Sequence, residues 1–160
     1  MSKQTNSSGS GLLDEPEINV LIFAFLLNYP WEFLQAPLFE RLPIREHWAA
    51  VKICTLATIG DALIMLFAYS LVAAVGWNRS WFRKPRRRQI TAFVAVGVLI
   101  TIGIEFAATR IDNPVLNWAY APEMPVLPFI RTGLSPVLQW LLLPPLALWF
   151  VRRQLSSTSA

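Results

Sequence analysis

The sequence predicts an all-α integral membrane protein, a bundle of four transmembrane helices with a proline-rich outer loop between helices three and four. Three observations predict it. Of the 160 residues, 54% are apolar and only 15% are charged, against roughly a quarter charged in a soluble domain. The apolar residues fall in four blocks, each near the ~20 residues that a helix needs to cross a ~30 Å hydrocarbon core. Within those blocks, 94–104 and 134–151 hold no charge at all, whereas a helix of a soluble bundle needs a charged outer stripe. This pattern excludes a disordered chain, a disulfide scaffold and an ordinary soluble enzyme.

The elements follow in order. Residues 1–17 are polar, with Ser7-Ser8-Gly9-Ser10-Gly11 in a row, and read as a flexible cytoplasmic tail. No basic start leads directly into a short apolar core with a small-residue cleavage site. The block at 18–39 is therefore expected to be an uncleaved first span rather than a leader. The second span is expected at 47–76, the third at 89–108 and the fourth at 133–151. A short basic and polar tail, 152–160, would follow in the cytoplasm. These spans make up one membrane domain, 18–151.

Orientation comes from lysine and arginine in the connections. Lys3, Arg79, Arg83, Lys84, Arg86, Arg87, Arg88, Arg152 and Arg153 share one side of a four-span chain. Arg41, Arg45, Arg110 and Arg131 share the other, with Lys52 just inside the second span. Nine against four places both termini in the cytoplasm of a multi-pass protein in the cell (plasma or inner) membrane. Trp77, Trp81 and Phe82 read as an inner interfacial belt with Trp149, and Trp48 and Trp118 as the outer one. The basic run at 77–89 has a topogenic reading, since it belongs beside the anionic inner leaflet. No nucleic-acid partner is expected.

Charges near the centre of a span cost ~3 kcal/mol each on insertion scales, so those retained are paired or used. On the first span Asn28, Glu32 and Gln35 recur at i, i+4 and i+7, on one helical face. Pro30 and Pro37 flank Glu32 and free backbone carbonyls there. On the second span Cys54, Thr58, Asp61, Met65 and Tyr69 form a stripe; on the third, Thr101, Glu105 and Thr109; on the fourth, Ser135, Gln139 and Leu142. Pro144-Pro145 is expected to kink the fourth helix or end its first half. If the polar faces turn inward, they converge in the outer half of the bundle, with Asp61 deepest. The expected pocket has three carboxylates, three amides, and Lys52 or Arg110. The competing reading is assembly: interhelical hydrogen bonds worth ~0.6–2 kcal/mol, with Glu32 or Glu105 simply paired to Lys52 or Arg110.

The connection at 110–132 holds Pro114, Pro122, Pro125 and Pro128, with aromatic residues between them. It is expected to lie back over the outer mouth, as a lid or as an interfacial anchor. Either way it would bring Trp118, Tyr120 and Glu123 close to Glu105 and Arg110. The candidate catalytic residues are thus Glu32, Asp61 and Glu105. The candidate substrate-binding residues are Asn28, Gln35, Thr58, Arg110, Trp118, Tyr120, Glu123 and Gln139.

His47 is the single histidine and Cys54 the single cysteine. Zinc, haem and di-iron sites want more such ligands, and His47 reads as a helix-start residue. No calcium-loop spacing, Gly-rich phosphate loop or nucleophile elbow is present, so neither metal nor cofactor is expected. What remains is acid–base chemistry by carboxyls in an apolar site, where the protonated form is favoured. Trp31, Trp118, Tyr120 and Trp140 could stabilise a developing cation. That suits isomerisation, hydration or cyclisation of a lipid or isoprenoid. Two other classes stay open: a proton- or cation-coupled transporter or channel, and a non-catalytic subunit or assembly factor of a membrane complex. Expected partners are membrane lipids and a hydrophobic small molecule. Gly97 with Thr101, and Gly103 with Ala107, form close-packing pairs that would serve a homodimer, a larger complex or packing within one chain.

Overall fold

Pro16 opens the first helix. Its fixed φ suits the first helical turn, where its missing N–H would have had no partner anyway. In the computed structural model, which describes residues 11–40, 46–76, 78–110 and 118–157, α1 spans Pro16–Gln35. The expected positions of residues 1–10 and 158–160, and of Arg41, Arg45, Trp77 and Pro114, lie outside the described residues. A single 3-10 turn at Leu12–Asp14 precedes α1 where the sequence predicted only tail. The cause is Asn19, whose amide donates to the carbonyls of Leu13 and Glu15 at 2.7 and 2.9 Å and pins the turn to the helix.

α1 stops four residues short of the expected span. Pro37 cannot donate a helical hydrogen bond, and the chain passes through a 3-10 turn, Ala36–Leu38, into β1, Phe39–Glu40. β1 pairs antiparallel with β2, Ala119–Tyr120, with Phe39 opposite Tyr120. No sequence signal marked this two-residue ladder. α2 spans His47–Val75, α3 Arg87–Arg110 and α4 Leu134–Ser157. α4 runs through Pro144-Pro145 without ending and carries helix into the expected C-terminal tail.

Among the described residues the fold is helical apart from that ladder and a single bridge between Val126 and Gly133, and α2, α3 and α4 are long and apolar enough to cross a membrane. α1 has 20 residues, but Asn19, Asn28, Glu32 and Gln35 dilute its apolar character. α1 packs against α2 and α4, and α3 packs against the same two helices from the other side. Polarity is inverted relative to a soluble protein. Asn28, Glu32, Gln35, Thr58, Thr101, Glu105 and Gln139 are buried. Leu26, Leu34, Leu56, Leu63, Phe67, Leu99, Phe106 and Leu142 face outward. Large exposed apolar area of this kind marks a surface that does not face water, consistent with a membrane location.

The inner belt expected beside the basic run is corrected. Trp81 and Phe82 are 1% and 2% exposed, inside the helices rather than at an interface. The 3-10 turn Trp81–Arg83 folds them inward. Trp81 stacks on Tyr69 at 5.3 Å and meets Phe93 edge-on at 5.7 Å. The Tyr69 hydroxyl donates to the Arg79 carbonyl at 2.5 Å and holds the turn in place. Trp48 and Trp149 are exposed.

Candidate functional site

Helical spacing puts Asn28, Glu32 and Gln35 on the inner face of α1, and each of them is buried. Opposite them, α4 presents Gln139 and Ser135, and α2 presents Asp61. The side-chain amide of Gln139 is the hub. Its nitrogen lies 2.8 Å from Asn28 Oδ1, 2.9 Å from Glu32 Oε1 and 2.8 Å from Asp61 Oδ2. An amide nitrogen has two hydrogens, so three oxygens compete for it and its donor capacity is fully used. Glu32 Oε1 also accepts from Gln35 Nε2 at 2.7 Å. Gln35 Nε2 in turn lies 3.1 Å from Gln139 Oε1, and Gln35 Oε1 accepts from Ser135 Oγ at 2.9 Å and Trp31 Nε1 at 3.3 Å. One connected polar network therefore joins α1, α2 and α4.

The third carboxyl arrives from α3. Glu105 is buried, and its Oε2 accepts from Tyr120 Oη at 2.6 Å and from Trp118 Nε1 at 3.3 Å. The β1–β2 ladder delivers both donors. It is extended by the Ala121 N–H, which donates to the Leu38 carbonyl at 2.9 Å. Phe39 meets the Trp118 ring edge-on at 6.4 Å. Burial first, and then the Glu105 carboxylate beside it, push the Tyr120 hydroxyl above its ordinary pKa. Tyr120 therefore stays a donor.

These groups surround a cavity of about 510 Å³, within the usual ~300–1,000 Å³ range of small-molecule sites. Glu32, Gln35, Asp61, Glu105, Trp118 and Gln139 line it, with Thr101, Trp140 and Cys54. The rest of its wall is apolar, from Ile53, Leu56, Ala57, Gly60, Ile64 and Ile104. Among the described residues, no lysine, arginine or histidine lines it. Among the described residues, no three His, Cys, Asp or Glu side chains form a group that could hold a metal ion.

Three carboxyls from three helices thus meet at one cavity, together with Gln35 and Gln139. Asn28 supports Gln139 from behind, and Tyr120 supports Glu105. Three expected residues are not brought in. Thr58 is buried, but its hydroxyl donates to the Cys54 carbonyl one turn back, at 2.7 Å. Arg110, the last residue of α3, turns away to donate to the Ile130 carbonyl at 3.1 Å and covers the Phe106 ring at 4.5 Å. Glu123 is exposed in the turn after β2. Lys52 is exposed too, so the expected partner cation is missing from the cavity. The ion pairs among the described residues lie elsewhere: Arg79 meets Glu17 at 2.9 Å and Glu15 at 3.1 Å.

Sequence reasoning missed the apolar wall and these ion pairs. Gly60, one residue from Asp61, was the available signal for open space there. Of the readings open for Gly97, the contact seen is the one within the chain. A Cβ on this glycine would lie 1.9 Å from the Trp140 ring, so it serves α3–α4 packing within the chain. The chain matches no protein-family model, no curated protein and no solved structure. The functional reading therefore rests on these residues alone.

Proposed function

We propose that the chain is a four-span membrane enzyme that performs acid–base chemistry on a lipid or isoprenoid. The observation that carries this reading is the cavity: three carboxyls, two orienting amides and, among the described residues, no neutralising base, enclosed in apolar wall. Carboxyls kept only for assembly would be expected to fill their space and pair off; these border an open volume. Asp61 is the general acid, held by Gln139, and Glu32 is its partner carboxyl. Glu105, fixed by Tyr120 and Trp118, receives a proton from the other end of the substrate. Protonating a carbon–carbon double bond at one carbon and removing a proton from another shifts the double bond. With water as the nucleophile the same acid gives hydration, and with a second double bond it gives cyclisation. The Trp118 and Trp140 rings supply faces for the intervening cation.

Four spans are supported by parity. Arg79, just beyond α2, holds Glu15 and Glu17 at the start of α1, so α1 and α2 leave and return to one level. The β1–β2 ladder likewise joins the end of α1 to the chain beyond α3. If α2 and α3 cross the membrane, α1 crosses with them. The basic connection at 78–88 then favours a cytoplasmic side for both termini in the cell membrane. Transport is the weaker reading, because the polar network stops against an apolar layer of Met65, Ala68, Trp81, Phe93 and Ala147.

The test compares lipid and isoprenoid extracts from cells that carry the wild-type chain, Asp61→Asn, or neither. The expected result is at least one species that changes with the wild type and reverts with Asp61→Asn. Identical extracts across several growth conditions would overturn the proposal.

A further inference from the structure

The cavity has four seams between neighbouring helices, and three of them are closed by identified contacts. Ser135 with Gln35, and Gln139 with Asn28 and Glu32, close α1 against α4. The Cys54 thiol lies against the Glu32 carbonyl at 3.8 Å and closes α1 against α2. The Trp140 ring fills the space over Gly97 and closes α3 against α4. The end of the cavity is roofed by Phe39 and Trp118. The fourth seam, α2 against α3, is packed overall much as α3 against α4 and, like it, has no interhelical hydrogen bond among the described residues; it differs in having no ring or polar contact that closes it at the level of the cavity. Its cavity wall is Ile53, Leu56, Gly60, Ile64 and Ile104, and Leu56 is 68% exposed. A Cβ built on Gly60 meets nothing within 4 Å.

We infer that this seam is a lateral portal, through which a single-chain, uncharged amphiphile enters from the bilayer. Its apolar chain lies along α2 past Gly60, and its hydroxyl or carbonyl head reaches Asp61. The apolar rim selects the route, since a polar solute gains nothing there and a hydrocarbon chain stays in a continuous apolar medium. The chemistry of the interior selects the head group. Among the described residues no base lines the cavity, so a phosphate or a carboxylate would lose its water there without gaining a counter-charge, while the carboxyls offer hydrogen bonds to an alcohol or a carbonyl. The cavity of about 510 Å³ is small for a two-chain phospholipid and suits one chain. This deepens the enzymatic reading by naming the route and head group of its substrate, and it rests on that reading for what happens after binding.

The test is photolabelling of the full-length protein in nanodiscs. The probes are a long-chain alcohol bearing a diazirine on its chain and the matched fatty acid. The wild type should be labelled by the alcohol on α2 and α3 residues at the seam, and unmodified alcohol should compete. The acid should label about tenfold less, well inside the discrimination a site built on hydrogen bonds can reach. Gly60→Phe places a ring in open space, so the protein should keep its helicity and melting temperature while alcohol labelling falls about tenfold, a size effect within reach of one packed side chain. Labelling that is equal in wild type and Gly60→Phe, or equal for alcohol and acid, would overturn the inference. The two proposals fail separately. Portal labelling with unchanged cellular extracts sinks the enzyme and keeps the portal; changed extracts with labelling indifferent to residue 60 do the reverse.

Discussion

The two halves of the helical assembly solve opposite problems with the same four helices. At the end near the α2–α3 connection, Val20, Ala24, Ala68, Tyr69, Ala73, Trp81, Phe93, Leu148 and Val151 form a packed apolar core. Alanines let the helix backbones approach, which is how helices associate where lipid offers no hydrophobic drive. At the other end Asn28, Glu32, Asp61, Glu105 and Gln139 hold the helices by hydrogen bonds around an open volume. The difference teaches where rigidity comes from. Helices that were hollow along their whole length would collapse or drift. A tightly packed half fixes their angles, so the other half can stay open with its polar groups in register. Trp140 and Gly97 mark the border between the two.

Substitutions at four positions would break or sharpen this contrast. The largest effect is expected from Trp81→Ala, which removes the ring between Tyr69 and Phe93. It should cost about 3–5 kcal/mol of stability, read as a lower unfolding temperature in detergent. Next comes Gly97→Ala at the border. A methyl group 1.9 Å from an aromatic carbon cannot be accommodated without movement, and overpacking of this sort costs about 1–3 kcal/mol. A larger Gly97→Leu effect in the same melt would confirm that the clash, not helix propensity, is the cause. Gln139→Leu tests the polar half. It removes the shared donor and leaves the Asn28, Glu32 and Asp61 oxygens without it, at about 1–3 kcal/mol for a buried group left unpaired. If the halves are distinct, Gln139→Leu changes the lipid extracts more than the melting temperature requires, and Trp81→Ala changes them only as far as folded protein is lost.

The smallest effect concerns pH. The hydrogen bond from Arg79, chiefly, holds the Glu17 carboxyl below its ordinary pKa. A group whose folded pKa is depressed stabilises above its unfolded value and loses that contribution as the pH falls through the folded one. The start of α1 should therefore become easier to cleave by protease as the pH drops below the usual carboxylate range. Arg79→Ala should show the loosened behaviour already at neutral pH and no further change on acidification.

The helices were legible in the sequence because their cause is local. Apolar runs of bilayer length need no knowledge of neighbours, and α2, α3 and α4 lie where the runs do. The shared faces of Asn28, Glu32 and Gln35, of Thr101 and Glu105, and of Ser135 and Gln139 follow from helical period alone, and they do turn inward. What failed depended on the partner. Arg110 could have served Glu105, but a carbonyl acceptor at Ile130 lay nearer to the end of α3. Trp81 beside six basic residues has the composition of an interfacial anchor. Only the 3-10 turn, fixed by Tyr69 a helix away, shows that it is core. The β1–β2 ladder is two residues long, too short for any alternation to announce it, yet it is what carries Tyr120 and Trp118 to Glu105.

Cys54 carries a practical consequence. It is the single cysteine of the chain, it is 2% exposed, and it lines the cavity wall one turn above Thr58. The molecule therefore comes with a built-in reporter of occupancy. A small membrane-permeant alkylating reagent that enters the hollow meets that sulfur on its wall, so the rate of its modification should fall when the hollow is filled. A compound that slows the reaction is a candidate ligand, found before its chemistry is known and without engineering a label into the protein.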